Sequence, residues 1–473
     1  MNIKDDFILK DISEGYLVGG AVRDFLLGKE SYDRDITIKN AEEFSHKLAQ
    51  KLDAVFITLD AENKIYRLIL RDKKNYLDIS ELRGDNINKD LLKRDFTINA
   101  IAYDLQKSQF IDITGGREDL KKGILRQIDE QNFIDDPLRL LRAFRFIATT
   151  GFKIDDELIN TIKKYKELIK EPARERIHEE IMKMFGGKWT EQALIQMLES
   201  DFLQLIFPFV EDMKKVPPNT HHHLDLIHHV IETVRQIEIQ YENTENEEVK
   251  NHTNSSDFGG FPRINYIKLA GFLHDIGKYS TWTLENNGNT VWKISDGLPY
   301  PEDTGLRHRF IKHDAVGAKM VIPLLRGLKF SNKQIDYISE MIRQHIYPSS
   351  IISSPVLDNK VMMRYVRKMD KNVIDNIMLA KADRLSAQGP DVTKEMTENN
   401  INGLNKLLKF YLEVKPNLKP IPKLINGTEI MDILKINQSP QLGIIIKKLH
   451  DAQLNGDIST REEALEFIRN INP

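Results

Sequence analysis

Asp33 and Asp35 stand two residues apart in Tyr32-Asp33-Arg34-Asp35-Ile36-Thr37-Ile38, a run that alternates as a strand does. Residues so spaced on a strand point to one face. Two carboxylates on one face repel each other unless a cation lies between them. Hard divalent ions such as Mg²⁺ prefer oxygen ligands. A pair of them about 4 Å apart activates an attacking hydroxyl and stabilises a leaving pyrophosphate. Taken alone, an Asp-x-Asp pair is more often a solvated surface strand.

The residues just upstream shift that balance. Leu17-Val18-Gly19-Gly20-Ala21-Val22-Arg23-Asp24 reads as strand, turn and helix. Paired glycines let the backbone approach a phosphate, and a helix N-terminus adds N–H donors and a favourable dipole. Arg23 offers guanidinium donors to triphosphate oxygens. Plain turn chemistry explains a lone Gly-Gly equally well.

A second group of candidates is richer in histidine. His274-Asp275 lies in the apolar stretch Leu269-Ala270-Gly271-Phe272-Leu273-His274-Asp275-Ile276-Gly277-Lys278. Adjacent His and Asp ligate one metal only if other ligands converge from elsewhere. His229 precedes them, and His313, His345 and Asp383 follow. The chain has no cysteine, so any metal rests on His, Asp, Glu or water.

The elements that must position these groups follow from the pattern. Tyr16 to Val18, Tyr32 to Ile38 and Tyr76 to Ser80 are expected strands, and Ala21 to Leu27 a helix stopped by Gly28. From about residue 123 the pattern becomes helical, with Phe133 to Thr149 one amphipathic helix. Residues 241–260 are polar and biased, as in a mobile loop, and Lys415 to Lys423 holds three prolines, as in a linker. The expected fold is a small α/β head followed by an all-α neck, body and tail.

The 473 residues allow several domains. Charged residues make up 29 % and hydrophobic residues 41 %, an ordinary globular balance. No apolar run reaches the roughly 20 residues of a membrane span, and Met1 to Asp6 lacks a signal peptide's apolar stretch. The expectation is a cytoplasmic protein with no membrane partner. A net charge of −3 gives no global sign of nucleic-acid binding. Local basic stretches exist: Lys163, Lys164, Lys166, Lys170, Arg174 and Arg176; Arg364, Arg367 and Lys368; and Lys415, Lys419 and Lys423. Phosphate contacts or solvated helix faces both fit such stretches.

Leu17 to Asp35, LVGGAVRDFLLGKESYDRD, closely resembles the signature of class II tRNA nucleotidyltransferases and bacterial poly(A) polymerases, members of the polymerase β-like superfamily. Arg94 to Ala100 resembles the family's ribose-binding motif, Asp135 to Ala143 its base-selecting motif, and Arg174 to Lys183 its last head-and-neck motif. The resemblance spans residues 15–185. It implies that Asp33 and Asp35 hold catalytic Mg²⁺ ions, with Asp78 a candidate third carboxylate. Gly19, Gly20 and Arg23 would face the triphosphate. Asp95, with Arg94 and Asn99, would contact the ribose. Asp136 and Arg139, with Arg142 in the same motif, would serve the incoming base. An arginine only donates and a carboxylate only accepts. Together they match cytosine and, after a small shift, adenine, but not uracil or guanine. An ordinary i,i+3 ion pair has the same spacing. Lys163, Lys164, Arg174 and Arg176 are candidate RNA contacts.

Two departures stand out. Asp135 occupies a position where many members have Glu. The stretch Glu81 to Asp90 is short, whereas members that add the terminal A usually carry a long flexible loop there. CC addition and full CCA addition therefore both remain open.

The histidine-bearing segment resembles an HD phosphohydrolase domain. By that resemblance His229, His274, Asp275 and Asp383 form a core site for a divalent metal (Mg²⁺, Mn²⁺ or Ni²⁺), and His313 and His345 complete a second. Phosphatase or 2′,3′-cyclic phosphodiesterase activity on RNA ends would follow. The implied layout is a head (1–122), neck and body (123–220), HD domain (221–395) and tRNA-binding tail (396–473). The implied partners are tRNA, CTP and ATP. A poly(A) polymerase, an HD phosphohydrolase with an inactive head, and a non-catalytic RNA-binding protein are the competing readings. Asp33→Ala is expected to abolish nucleotide transfer while leaving phosphoester hydrolysis by the HD segment intact. Parallel assays of the two activities check this.

Overall fold

Leu17 and Val18 are buried, and the strand that carries them, β1 (Tyr16–Val18), lies inside a seven-stranded sheet. The computed structural model describes residues 6, 8–29, 34–72, 75–297, 305–354, 357–418, 422–455 and 457–471. Two compact units divide the chain: residues 1–211 with 323–331, and residues 212–322 with 332–473.

In the first unit, β1 is followed by β2 (Asp35–Ile38), β3 (Val55–Asp60), β4 (Ile65–Ile69), β5 (Tyr76–Glu81), β6 (Ile101–Asp104) and β7 (Gln109–Asp112). Their order across the sheet is β3-β4-β5-β2-β1-β6-β7. β2 and β5 run parallel, and their register sets Asp35 beside Asp78. Tyr32 and Asp33, expected at the start of β2, lie outside the described residues. Helices α1 (Gly20–Leu26), α2 (Ala41–Leu52), α3 (Ile87–Leu92) and α4 (Gly116–Lys122) complete this α/β part.

The single helix expected over Phe133 to Thr149 is two, α5 (Gln131–Asp135) and α6 (Leu138–Thr150). Pro137 explains the break, because it disfavours helical backbone in the residue before it. Asp136 accordingly is extended, at φ −141° and ψ 90°. α6 buries Leu140, Leu141, Phe144 and Ile147 and packs against α8 (Arg174–Phe185), which follows α7 (Asp156–Tyr165), and against the helix Thr190–Glu199.

The second unit is mostly helical, as expected. The helix Arg263–Leu273 is buried all round, and the helices Leu226–Asn243 and Val373–Ser386 pack against it. One addition is a three-stranded sheet, Trp282–Asn286, Asn289–Lys293 and Arg307–Phe310. Its hairpin turns at Asn287-Gly288, with φ of 48° and 83°, as the preferred two-residue turn requires. The loop expected at 241–260 is corrected: residues Glu247–Thr253 form a helix capped by Asn246 that buries Val249 and Thr253. Polar composition misled here because a short capped helix needs few apolar anchors. The proline-bearing Lys415 to Lys423 begins with a short 3₁₀ turn (Lys415–Asn417), and residues 419–421 lie outside the described residues. Three C-terminal helices share a core of their own around Ile430, Ile445, Ala464 and Ile468.

A buried ionic network ties the corrected helix down. Asp375 accepts from Arg263 Nε (2.6 Å) and Tyr337 OH (2.8 Å) and meets His252 Nε2 at 2.7 Å. Asp375 and Arg263 are fully buried. Arg263→Met would leave the carboxylate short of its cation, so urea unfolding should show a loss of about 3–5 kcal/mol.

Candidate functional site

Gly19 ends β1 at φ 70° and ψ −135°, a backbone region that favours glycine. A Cβ there would lie 3.0 Å from Asp35 Oδ2 and 3.4 Å from Arg94 Nη1. The glycine thus lets the turn, the half-buried Asp35 and Arg94 converge. Asp35's partner in the sequence argument, Asp33, lies outside the described residues. Asp78 sits beside Asp35 in the sheet, but Arg67 grips it through Nε and Nη2, both at 2.7 Å, while stacked on Tyr76. Asp78 is therefore already charge-paired. On α1, Arg23 donates Nε to Asp24 and Nη1 to Asn99 Oδ1 (2.8 Å).

Asn99 leads to the next group. Its Nδ2 donates to Asp95 Oδ1 (2.9 Å), and Arg142 of α6 places Nε and Nη2 on Asp95 Oδ2 at 2.9 and 2.6 Å. Burial would favour the protonated carboxyl, but Arg142 and Asn99 override it and hold Asp95 well below the usual carboxylate range. Arg94 is fixed by Asp90, and Asn132 of α5 ties the carbonyls of Leu92 and Arg94 to its amide. Arg139 donates Nη1 to the Asn132 carbonyl (3.1 Å) and keeps Nε 3.9 Å from Asp136.

Arg94, Asp95, Asp136, Arg139 and Arg142 line a cleft of about 400 Å³ with Ser80, Arg83, Asp90, Arg176, Glu179, Glu180 and Lys183, whereas Gly19, Arg23, Asp35, Asp78 and Asn99 are not among its lining residues. Arg94, Asp95, Asp136, Arg139 and Arg142 are thereby brought together as the sequence suggested. The sequence reasoning missed Arg83 and Glu180. Glu180 is buried between Arg142 and Arg145, at 3.5 and 3.0 Å. Glu180 is one of three glutamates in Arg174 to Lys183, so nothing in the sequence singled it out. The proposed RNA stretch divides. Lys164 pairs with Glu130, Lys166 with Asp201 and Lys170 with Glu167, while Lys163 and Arg174 are exposed. Arg176 turns into the cleft and binds Asp136.

In the second unit the six expected ligands converge. His229 Nε2 approaches Asp275 Oδ2 (3.3 Å) and Asp383 Oδ1 (3.2 Å), and His274 Nε2 approaches the same two at 3.1 and 3.6 Å. Asp275 Oδ1 faces His313 Nε2 (3.2 Å) and His345 Nε2 (3.7 Å). Asp275 thus bridges two groups. The opposite nitrogen of three imidazoles meets a backbone carbonyl: His274 Nδ1 with Gly271, His313 with Phe310 and His345 with Ile342, at 2.6–2.7 Å. Such contacts fix the tautomer that presents Nε2 to a metal. Burial and the neighbouring His274 and His313 push His345 down to about 3. His229 Nε2 and His274 Nε2 are buried without a hydrogen-bond partner. A cation among these atoms removes that deficit, so the residues fit a metal. Lys278 adds a charge at 2.6 Å from Asp275 Oδ2. Gly277 lets the next helix approach, since a Cβ there would meet the His313 carbonyl at 2.2 Å.

Family comparison agrees with this division of labour. The poly A polymerase head domain matches residues 15–126, the probable RNA and SrmB-binding site of polymerase A residues 151–214, and the HD domain residues 226–388. The chain thus carries a poly A polymerase head, an RNA-binding region and an HD domain, and it is similar along nearly its whole length to tRNA nucleotidyltransferases. It is 26 % identical over 458 residues to the A-adding tRNA nucleotidyltransferase of Deinococcus radiodurans, covering 96 % of this chain and 94 % of that one. It is 26 % identical over 470 residues to the CC-adding enzyme of Thermus thermophilus, covering 98 % and 95 %. With the CC-adding enzyme of Shouchella clausii it shares 38 % over 188 residues, 40 % of this chain and 48 % of that one. The fold is that of the Thermotoga maritima CCA-adding enzyme complexed with tRNA, at a TM-score of 0.53 and 23 % identity, over 96 % and 90 % of the two chains. Among the described residues no helix is long and apolar enough to cross a membrane.

Asp275 belongs to both candidate ligand groups, so its loss should cost more metal than the loss of a residue in only one of them. Asp275→Ala is expected to lose most bound divalent metal and His313→Ala only part. Metal content of the purified variants by plasma mass spectrometry checks the order.

Proposed function

We propose that this chain transfers CMP from CTP to the 3′ end of tRNA, without a nucleic-acid template, and releases pyrophosphate. One observation carries the proposal: the Gly19–Asp35 turn, the Asp95–Arg142 clamp and the Asp136–Arg139 pair belong to one connected arrangement. Asp33 and Asp35 would hold Mg²⁺. Bound there, the ions would supply Lewis-acid activation of the tRNA 3′-hydroxyl and of the α-phosphate. Gly19 and Gly20 let the backbone approach the triphosphate, and Arg23 meets its charge. Asp95, held still by Arg142 and Asn99, lines the cleft where the ribose would lie. Asp136 accepts from the base's amino group, and Arg139 donates to its ring acceptors.

CC addition is the finer form of the proposal. The loop after Asp78 is short and pinned: Arg83 N donates to Asp90, Asn86 caps α3, and Lys89 pairs with Asp85. A loop so tied has little freedom to reshape the pocket from cytosine to adenine. The relatives include CC-adding, A-adding and CCA-adding enzymes, so the loop alone supports this form, and full CCA addition is the alternative. In the second unit the His229, His274, Asp275, Asp383, His313 and His345 centre supports phosphatase or 2′,3′-cyclic phosphodiesterase chemistry on RNA ends with a divalent metal.

The test offers CTP or ATP to tRNA ending at the discriminator base, tRNA-C and tRNA-CC. CMP is expected on the first two and no AMP on the third. AMP on tRNA-CC after CMP addition selects CCA addition. AMP without any CMP transfer selects A addition, and long A tracts on unrelated RNA select a poly(A) polymerase.

A further inference from the structure

Asp136 is held from outside its own helix. It sits at the break made by Pro137, with extended backbone, so α6 does not fix its direction. Its i,i+3 neighbour Arg139 stays at 3.9 Å, an ion-pair distance rather than a hydrogen bond. The contact at hydrogen-bond distance comes from α8. Arg176 Nη2 lies 3.2 Å from Asp136 Oδ1 and 3.2 Å from Oδ2. Both side chains are partly exposed, 54 % for Arg176 and 31 % for Asp136, so the pair adds little to stability.

Its geometry has a different effect. Asp136 and Arg139 can read a base only while they do not bind each other. A carboxylate free to turn at the helix break would close onto Arg139 and cover the donors and acceptors the base needs. A donor shared equally by both oxygens, on a helix packed against α6, holds the carboxylate off Arg139. Arg139 is anchored separately, through Nη1 to the Asn132 carbonyl. The base-reading gap therefore has one anchor on each side.

We infer that Arg176 is a positioning residue for nucleotide selection, acting through Asp136, and not a tRNA phosphate contact. This rests on the proposed role of Asp136 and Arg139 in base reading. Arg176→Met should raise the KM for CTP and cut the preference for CTP over UTP on the order of 10²-fold, as displacement of a reading group does. Arg176→Lys should restore part of that preference. In an Asp136→Asn background, Arg176→Met should change selectivity no further, since the group it positions is already altered. The tRNA dissociation constant and its salt dependence should stay as in the unmodified protein.

The measurements are single-nucleotide incorporation with CTP and UTP, and tRNA binding across a salt series. Unchanged selectivity in Arg176→Met overturns the inference. So does a weaker tRNA affinity whose salt slope falls by about one while selectivity holds, because that is the signature of a lost phosphate contact. If Arg176→Met does not fold, Arg176→Lys decides, and full selectivity paired with a changed salt slope again overturns it. If the unmodified protein transfers no nucleotide to tRNA, the proposed function fails and takes this inference with it. Transfer with insensitive selectivity sinks the inference alone.

Discussion

The first unit depends on one buried carboxylate. Asp95 is almost fully enclosed, and an ionised carboxyl so placed is costly unless cations and hydrogen bonds surround it. Arg142 takes one oxygen with two donors, and Asn99 and the Phe96 amide take the other. Arg142 belongs to α6, whereas Asp95 and Asn99 lie between α3 and β6. The pair therefore fastens the strand-bearing part to the helical part of the same unit. Glu180 of α8 reaches the same guanidinium from the other side. The cleft is lined by charges that compensate each other.

That constraint gives the neighbouring residues their geometry. With Arg142 committed to Asp95, Arg139 one turn earlier on α6 is turned into the cleft. Asn132 closes the frame by binding two carbonyls of the Leu92–Arg94 segment and lending its own to Arg139. The Gly19 turn lies close to the Arg94 guanidinium. The second unit solves the same problem differently. There Asp375 is again paired with an arginine, but a second buried carboxylate, Asp275, is surrounded by imidazoles oriented by backbone carbonyls, an arrangement that suits a metal.

Local chemistry made much of this legible in the sequence. The strand around Leu77 follows from alternation, the short apolar run at Leu17 reads as another, and Gly19-Gly20 marks the turn. The six HD ligands appear in chain order, and the structure brings them within reach of one another. The misses have physical causes. Pro137 was present in the helical pattern, yet apolar periodicity on both sides hid the break it makes. The Asn287-Gly288 hairpin carried a clear turn signal inside a segment judged helical by its surroundings. Asn246 is a cap, but the acidic residues after it looked like a loop, and the burial of Val249 depends on distant partners. Arg176 was grouped with its basic neighbours because charge spacing along the chain does not reveal which residue faces a carboxylate on another helix.

The central claim is that protein side chains, not a template, read the base in this cleft. A crystal structure of the protein with CTP and Mg²⁺ tests it most directly. The account predicts the cytosine edge on Asp136 and Arg139, the ribose beside Asp95, and the triphosphate between the Gly19 turn and the Asp33–Asp35 pair. Density that places the triphosphate against Arg139 and Arg176, or the base away from Asp136, would contradict it.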